Sequence, residues 1–444
     1  MKNNWRQKLH LEPKSGWLND PNGLSWFNGC YHVYFQYAPD DPCGDGDKCW
    51  GHWCSTDMLR WTYTGTVLVP DIPEDRNGVY SGSGIAADDM LHLFYTGNVK
   101  EDGDHDYVTS GRGANVITVT TSDGHNMSEK KVVLRNQDYP DYCSCHVRDP
   151  KVWKDGNIYR MVLGARTLSN EGCVLMYKSS DLNSWEYDHV LGIPDMGYMW
   201  ECPDFFTIGS HSYLSVSPQG LAHEEMRFQN VYSSGYFRAD GELTDFTEWD
   251  CGFDFYAPQT FETPDGRRIL IGWMGIGDIP YTNPTVELGW QHCLTVPREV
   301  TAAKDGSLLQ LPVREMRKLR RENRDLENGM TTPLPFELVA DTDKEFTLNI
   351  GGYLTMSFVD GVFTLRFTDD NASGGRTVRK AALSDCKELL LLADTSSIEV
   401  YLNGGEKVLS TRFYPSDTEV KLEFSGMSGI LYELDALEVK LDEQ

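Results

Sequence analysis

The sequence predicts an all-β protein, a five-bladed β-propeller followed by a C-terminal β-sandwich. Three observations predict it. A glycine or turn followed by an alternating aromatic–aliphatic strand starts at Gly29, Asp89, Gly156, Ser210 and Gly266, recurring about every 60 residues. A Ser–Asp echo follows these strands, in Ser55-Thr56-Asp57, Ser122-Asp123 and Ser180-Asp181. Beyond Pro297 the texture changes, and from about Thr331 alternating strands such as Phe363–Phe367 and Ile398–Leu402 run into an Asn403-Gly404 hairpin turn. Five all-β units of this length read as five blades, each a four-stranded sheet. An irregular β-sandwich with fortuitous likeness between segments is the alternative.

A chain of 444 residues is long enough for two domains. The expected division is a propeller over residues 1–311, a linker helix within 312–330 and a sandwich over 331–444. Pro312 suits a helix start, Val313, Met316 and Leu319 fall on one side, and Gly329 lies where the helix would stop. The sandwich segment holds no cluster of reactive side chains, so packing or accessory sugar binding is its expected role. A formal charge of −27 argues against nucleic acid and anionic membranes as partners, because both demand clustered cations. No apolar run reaches the ~18 residues of a membrane span, and Met1–Trp5 has no apolar signal region. Eleven scattered cysteines fit reduced thiols in a cytoplasm. Neither Cys43, Cys49 and Cys54 nor Cys143 and Cys145 has the spacing of a metal site, so no metal and no cofactor is expected.

Three acids stand out, each beside a proline. In Trp17-Leu18-Asn19-Asp20-Pro21-Asn22-Gly23, Pro21 lacks an N–H and pushes Asp20 toward extended backbone, while Asn22-Gly23 favours a turn. Similar wrapping surrounds Asp149 in Arg148-Asp149-Pro150 and Glu201 in Trp200-Glu201-Cys202-Pro203-Asp204. Each acid precedes a repeated strand by about ten residues, which places it on the innermost strand of a blade, facing the channel. The matching places in the other two blades hold Tyr80-Ser81-Gly82-Ser83 and Phe253-Asp254-Phe255-Tyr256. Carboxylates on facing strands of a polar funnel suit glycosidic cleavage, where one must be ionised and another must hold a proton. Asp20 fits the nucleophile. Glu201, near Trp200, Cys202 and Phe205, fits the acid/base, since an apolar wall and nearby negative charge raise its pKa. Arg148 should keep Asp149 ionised, for gripping sugar hydroxyls. Trp17, Trp50, Tyr256 and Trp273 are candidates to stack on sugar faces, with blade-core packing the alternative for each.

These motifs, with Phe94-Tyr95-Thr96-Gly97 and Phe255–Thr260, resemble glycoside hydrolase family 32, the family of invertases, sucrose-6-phosphate hydrolases and exo-acting fructanases. The resemblance implies a small-molecule sugar substrate and a retaining β-fructofuranosidase, with Asp20 the nucleophile, Asp149 the transition-state stabiliser and Glu201 the acid/base. It also implies that Asn19, Gln36, Ser81 and Arg148 hold the fructosyl unit. One departure concerns Asp41–Cys49, where members often carry a tryptophan and this chain has none; it bears on leaving-group preference. An exo-acting fructanase, a fructosyltransferase and a non-catalytic sugar-binding propeller are the alternatives, although the last should have lost one of its acids. A phosphate on the glucosyl unit needs local cations against the field of the chain. Lys48, Arg227 and His223 are the candidates, Lys48 foremost, and together they predict only a modest phosphate preference.

Overall fold

The computed structural model describes residues 5–244 and 246–441; Met1–Asn4 and the last three residues, to which the N-terminal reading and the outer domain limits extend, lie outside the described residues. The chain is all-β, a propeller followed by a sandwich-like sheet. Successive sheets of six, four, four, four and five strands occupy the first part, and a ten-stranded sheet the second. In the first five sheets the initial strands are Gly16–Phe27, Val79–Ala87, Cys143–Asp155, Met199–Ile208 and Tyr256–Glu262. They pack in that order, and the fifth returns to the first. The repeated aromatic–aliphatic segments form the second strands, from Cys30–Ala38 to Arg268–Met274.

Alternation explains the packing. Each sheet turns one side of its strands toward each neighbour, and an apolar layer fills every gap. Tyr34, Trp50, Leu93 and Ile117 form one such layer, Phe94, Val147, Met161 and Leu163 the next. Val162, Trp200, Leu214 and Phe237 form a third, and Phe206, Tyr236, Trp249 and Leu270 a fourth. Leu18, Val33, Phe35, Ile271 and Trp273 complete the circle. Each large side chain so buried stabilises the fold by roughly 1.5–3 kcal/mol. The Ser–Asp echo caps turns: the Ser55 hydroxyl accepts from the backbone N–H of Asp57 and Met58, and Ser179 does the same for Asp181 and Leu182.

Polar bonds stitch the inner strands together. The Gly82 N–H donates to Asn22 Oδ1 at 2.9 Å, and Ser83 Oγ donates to the Pro150 carbonyl at 2.7 Å. Lys151 pairs with Asp204 at 3.3 Å, and Asp204 accepts from the Thr260 hydroxyl at 2.8 Å. Gly82 has no substitute here, since a Cβ would meet the Phe94 carbonyl oxygen at 1.9 Å.

The expected linker helix is not formed. Residues Arg314–Leu319 make a short 3-10 turn, and Arg320–Asp325 is a strand pairing with Glu419–Leu434. Its side chains are mostly exposed charges, with Arg320 paired to Glu337 at 2.6 Å and Arg324 to Glu433 at 3.0 Å. Strand partners with opposite charges outweigh the weak helical pattern. In the last sheet two long strands, Phe336–Ile350 and Glu419–Leu434, run side by side around a core that includes Phe336, Leu348, Met356, Leu391 and Val400. The tail then crosses back, and Glu438–Leu441 joins the outer edge of the first sheet, parallel to Arg60–Tyr63.

Candidate active site

The five inner strands share one irregularity. In each, two residues oppose one on the second strand: Asn19–Asp20, Tyr80–Ser81, Asp149–Pro150, Cys202–Pro203 and Ala257–Pro258. Proline cannot donate to a ladder and is tolerated at a bulge. A bulge also re-aims the side chains beside it. Asp149, Cys202 and Ala257 take positive φ of 62°, 45° and 48° there, a left-handed conformation that costs a non-glycine residue on the order of 1–3 kcal/mol. The ring spends that strain where its carboxylates converge.

Cys202 is the hub. Its Sγ lies 3.5 Å from both Asp20 Oδ2 and Asp149 Oδ2, and its N–H donates to Asp149 Oδ2 at 2.8 Å. Asp20 also accepts from Asn19 Nδ2 at 3.2 Å and from the Ser81 hydroxyl. Asn19 in turn donates to Gln36 and accepts from Trp17 Nε1. Glu201 accepts at Oε1 from Arg148 at 3.1 Å, and at Oε2 from Tyr256 and Gln219 at 2.9 and 3.0 Å. Arg148 lies beneath Tyr80, 5.5 Å from its ring centre.

Burial raises the pKa of Glu201 against the pull of Arg148, and Asp20 adds to the rise. Asp149 differs from expectation. Its burial outweighs Arg148, and with Glu201 and Asp20 nearby its pKa is pushed up to about 7. The Arg148 guanidinium is engaged by Glu201, so it does not hold Asp149 firmly ionised.

The structure thus gathers Asp20, Asp149, Glu201, Asn19, Gln36, Ser81, Tyr80, Arg148 and Tyr256 at one mouth of the channel. The aromatics divide. Trp50 is 0% exposed, packed between Tyr34 and Tyr95 with Nε1 donating to the Tyr80 carbonyl, so no face is open to a sugar. Trp273 and Tyr256 are each 4% exposed; Trp273 meets Trp17 edge-on, while Tyr256 works through its hydroxyl. Trp17 alone of the four is half-buried, with Lys48 5.4 Å from its ring centre. Trp200 is fully buried on the opposite face of its strand, against Phe237, and gives Glu201 no wall. Cys202 and Gln219 were not read from the sequence as site residues, although Cys202 lies inside the Glu-Cys-Pro-Asp motif.

The phosphate candidates fare poorly. Lys48 donates to the Gly44 carbonyl among Asp41 and Asp45, and burial pulls its pKa down to about 8. Arg227 stacks on Phe228, and His223 is exposed.

A ring of sheets presenting paired carboxyls, one buried with its pKa raised, beside amide and guanidinium donors defines a glycosidase. Residues 10–312 match the glycosyl hydrolases family 32 N-terminal domain, and residues 356–439 the family 32 C terminal. The sucrose-6-phosphate hydrolase of Bacillus subtilis is 38% identical over 455 residues, covering 95% of this chain and 92% of that one. A solved sucrose-6-phosphate hydrolase from Lactobacillus gasseri superposes with a TM-score of 0.89 at 28% identity, covering 98% of this chain and 94% of that one. A Bombyx mori family 32 β-fructofuranosidase mutant in complex with sucrose gives 0.85 at 30%, covering 99% and 96%. The chain belongs to glycosyl hydrolases family 32, and it is a glycoside hydrolase.

Proposed function

We propose that this protein is a retaining β-fructofuranosidase that hydrolyses sucrose or sucrose 6-phosphate by double displacement. The carrying observation is the pairing of Asp20, held by Asn19 and Ser81, with a Glu201 whose pKa burial raises. Asp20 attacks the anomeric carbon of the fructosyl unit while Glu201 gives its proton to the departing glucosyl oxygen. Glu201, now ionised, then takes a proton from the water that cleaves the fructosyl ester on Asp20. Asp149 grips fructosyl hydroxyls, and Asn19, Gln36, Ser81 and Arg148 position the ring. Trp17 is the aromatic that meets the sugar. The names of the Bacillus and Lactobacillus relatives and the sucrose complex of the Bombyx enzyme support this substrate class.

The same reading takes the first five sheets as five blades, residues 1–311, with 331–444 as the sandwich. Its support is the shared bulge and the closed packing of the inner strands. Extra edge strands Trp290–Gln291 and Glu438–Leu441 enlarge the first sheet, and Cys293–Leu294 the fifth. A cytoplasmic setting fits the free thiols of Cys49, Cys173, Cys202, Cys251, Cys293 and Cys386.

The test is a rate and product panel across sucrose, sucrose 6-phosphate, kestose, inulin and levan, with anomeric configuration followed by NMR. Fructose should first emerge as the β-anomer from the disaccharides, and Asp20→Asn should abolish release from every substrate. First-formed α-fructose would refute double displacement, and inulin or levan turning over fastest would favour the fructanase.

A further inference from the structure

The mouth of the channel is braced from a distance. The short strand Trp290–Gln291 runs parallel to the start of Gly16–Phe27, with Gln291 opposite Trp17. Gln291 is buried, and its side chain uses both ends of its amide. Nε2 donates to the Pro42 carbonyl at 2.9 Å, and Oε1 accepts from Asn283 Nδ2 at 2.7 Å. Asn283, also buried, accepts at Oδ1 from Arg376 at 2.8 Å. Arg376 is itself fixed on Asp254 at 2.6 and 2.7 Å. A continuous chain of side-chain hydrogen bonds therefore runs from the second domain to Pro42.

Pro42 lies in the loop 41–48, whose own bonds carry the constraint onward. These eight residues form neither strand nor helix, and all are exposed or half-buried. The Asp41 carboxylate accepts from the N–H groups of Cys43, Asp45 and Gly46, and the Lys48 ammonium donates to the Gly44 carbonyl. Among the described residues, Gln291 is the one side chain from beyond Cys49 that hydrogen-bonds this loop. A segment with so few anchors opens easily once one is removed. Gly44 then presses on Trp17: its φ is 86°, and a Cβ there would meet Trp17 Cδ2 at 2.8 Å. Only glycine permits that approach. Trp17 donates from Nε1 to Asn19 Oδ1 at 3.0 Å, and Asn19 donates to Asp20 at 3.2 Å. The side chain of Gln291 thus ties the second domain to the loop that backs the half-buried aromatic of the site.

We propose that Gln291 is a positioning residue for substrate binding, which, anchored through Asn283 to Arg376, seats the loop 41–48 against Trp17 and so fixes the indole for the sugar. The proposal rests on the reading of Trp17 as the aromatic that meets the sugar, but the seating of the loop can be followed without turnover. Amide hydrogen exchange and sucrose kinetics would compare wild type, Gln291→Met, Asn283→Ala and the double variant, each checked for native circular dichroism. Gln291→Met should speed exchange at Cys43, Asp45 and Gly46 and leave the inner strands protected. Its KM should rise by about three- to tenfold, the worth of one neutral hydrogen bond. Its kcat should stay within about twofold, because Asp20 keeps its bonds from Asn19 and Ser81. The double variant should be no worse than Gln291→Met alone, since both substitutions break one chain. If Gln291→Met misfolds, Gln291→Glu keeps the acceptor for Asn283 but withdraws the N–H from Pro42, and should raise KM alike. Unchanged exchange over 41–48, faster exchange with an unchanged KM, or effects of the two single substitutions that add would each overturn the positioning role. If wild type cleaves no fructoside, sucrose affinity by calorimetry replaces KM: its loss in step with faster loop exchange would uphold Gln291 and sink the fructofuranosidase reading.

Discussion

Replacing Tyr256 by phenylalanine tests how Glu201 is kept ready to give a proton. The tyrosine hydroxyl donates to Glu201 Oε2 at 2.9 Å, and its alternative acceptor, the Ser217 carbonyl, is farther at 3.3 Å. Donation to a carboxylate stabilises the charged form, so this bond holds the pKa of Glu201 below what burial alone would give. A hydrogen bond to a charged group contributes about 1.5–3 kcal/mol, and each pKa unit corresponds to about 1.4 kcal/mol. Gln219 still donates to the same oxygen after the substitution, so the low end applies and the pKa should rise by about one unit. The alkaline limb of kcat reports the group that must stay protonated in the enzyme–substrate complex. In Tyr256→Phe that limb should move up by about one pH unit, with a lower plateau because a weaker acid protonates the leaving oxygen less readily. The ring is retained, so its contacts with Trp273 and Tyr232 survive and thermal unfolding should change little. An alkaline limb that stays put, or moves down, would refute the assignment of Glu201 as the acid.

Glu201→Ala should lose most activity on sucrose, less on fructosides with good leaving groups, and regain turnover with azide, which replaces water in the second displacement; losses equal across leaving groups and untouched by azide would sink the role. His10 carries a stability prediction. Burial would lower its pKa, but Asp394 at 2.8 Å and Glu399 at 2.9 Å push it up to about 9. A raised folded pKa means stabilisation present below the ordinary value near 6.5 and lost as pH climbs through 9, about 3 kcal/mol in all. Urea unfolding should therefore show a falling midpoint between pH 6.5 and 9.5 that His10→Gln flattens, and a wild-type midpoint constant over that range would disprove it.

The recurring second strands were legible because a strand covered on both faces leaves a nearly continuous run of aromatic and aliphatic residues between turn residues. The acids were legible for a related reason: proline donates nothing to a ladder and is tolerated in or beside a bulge, so Asp20-Pro21, Asp149-Pro150 and Cys202-Pro203 stand where inner strands depart from regular pairing. What failed depended on distance. Val313–Leu326 carries a helical stripe, but its strand partners lie more than a hundred residues on, in Glu419–Leu434, and no local pattern announces them. Trp50 stands in the same kind of run as Trp17, and only the packing of Tyr34 and Tyr95 shows that it faces inward. Arg148 was read as the keeper of its chain neighbour Asp149, whereas the fold turns its guanidinium to Glu201.

The sandwich enters the chemistry through charge. Asp254, two residues before Tyr256, is buried and accepts from Arg376 at 2.6 and 2.7 Å and from the Arg412 N–H at 2.8 Å. Asp250, four residues further back, pairs with Arg298 at 3.1 Å and accepts from the Ser410 hydroxyl at 2.7 Å. Arg298 also reaches Glu399, the same carboxylate that holds His10. The segment leading to Tyr256 is therefore fixed on one side by the fifth sheet and on the other by residues of the second domain. Breaking a buried pair of this kind by removing one partner costs about 3–5 kcal/mol, because the remaining charge is stranded. A propeller without its sandwich would keep the Asp250–Arg298 pair but strand Asp254, which loses Arg376 and the Arg412 N–H just before the strand carrying the Glu201 partner begins. Arg376 and Arg412 thus support, from outside the ring of sheets, the segment that brings Tyr256 to Glu201.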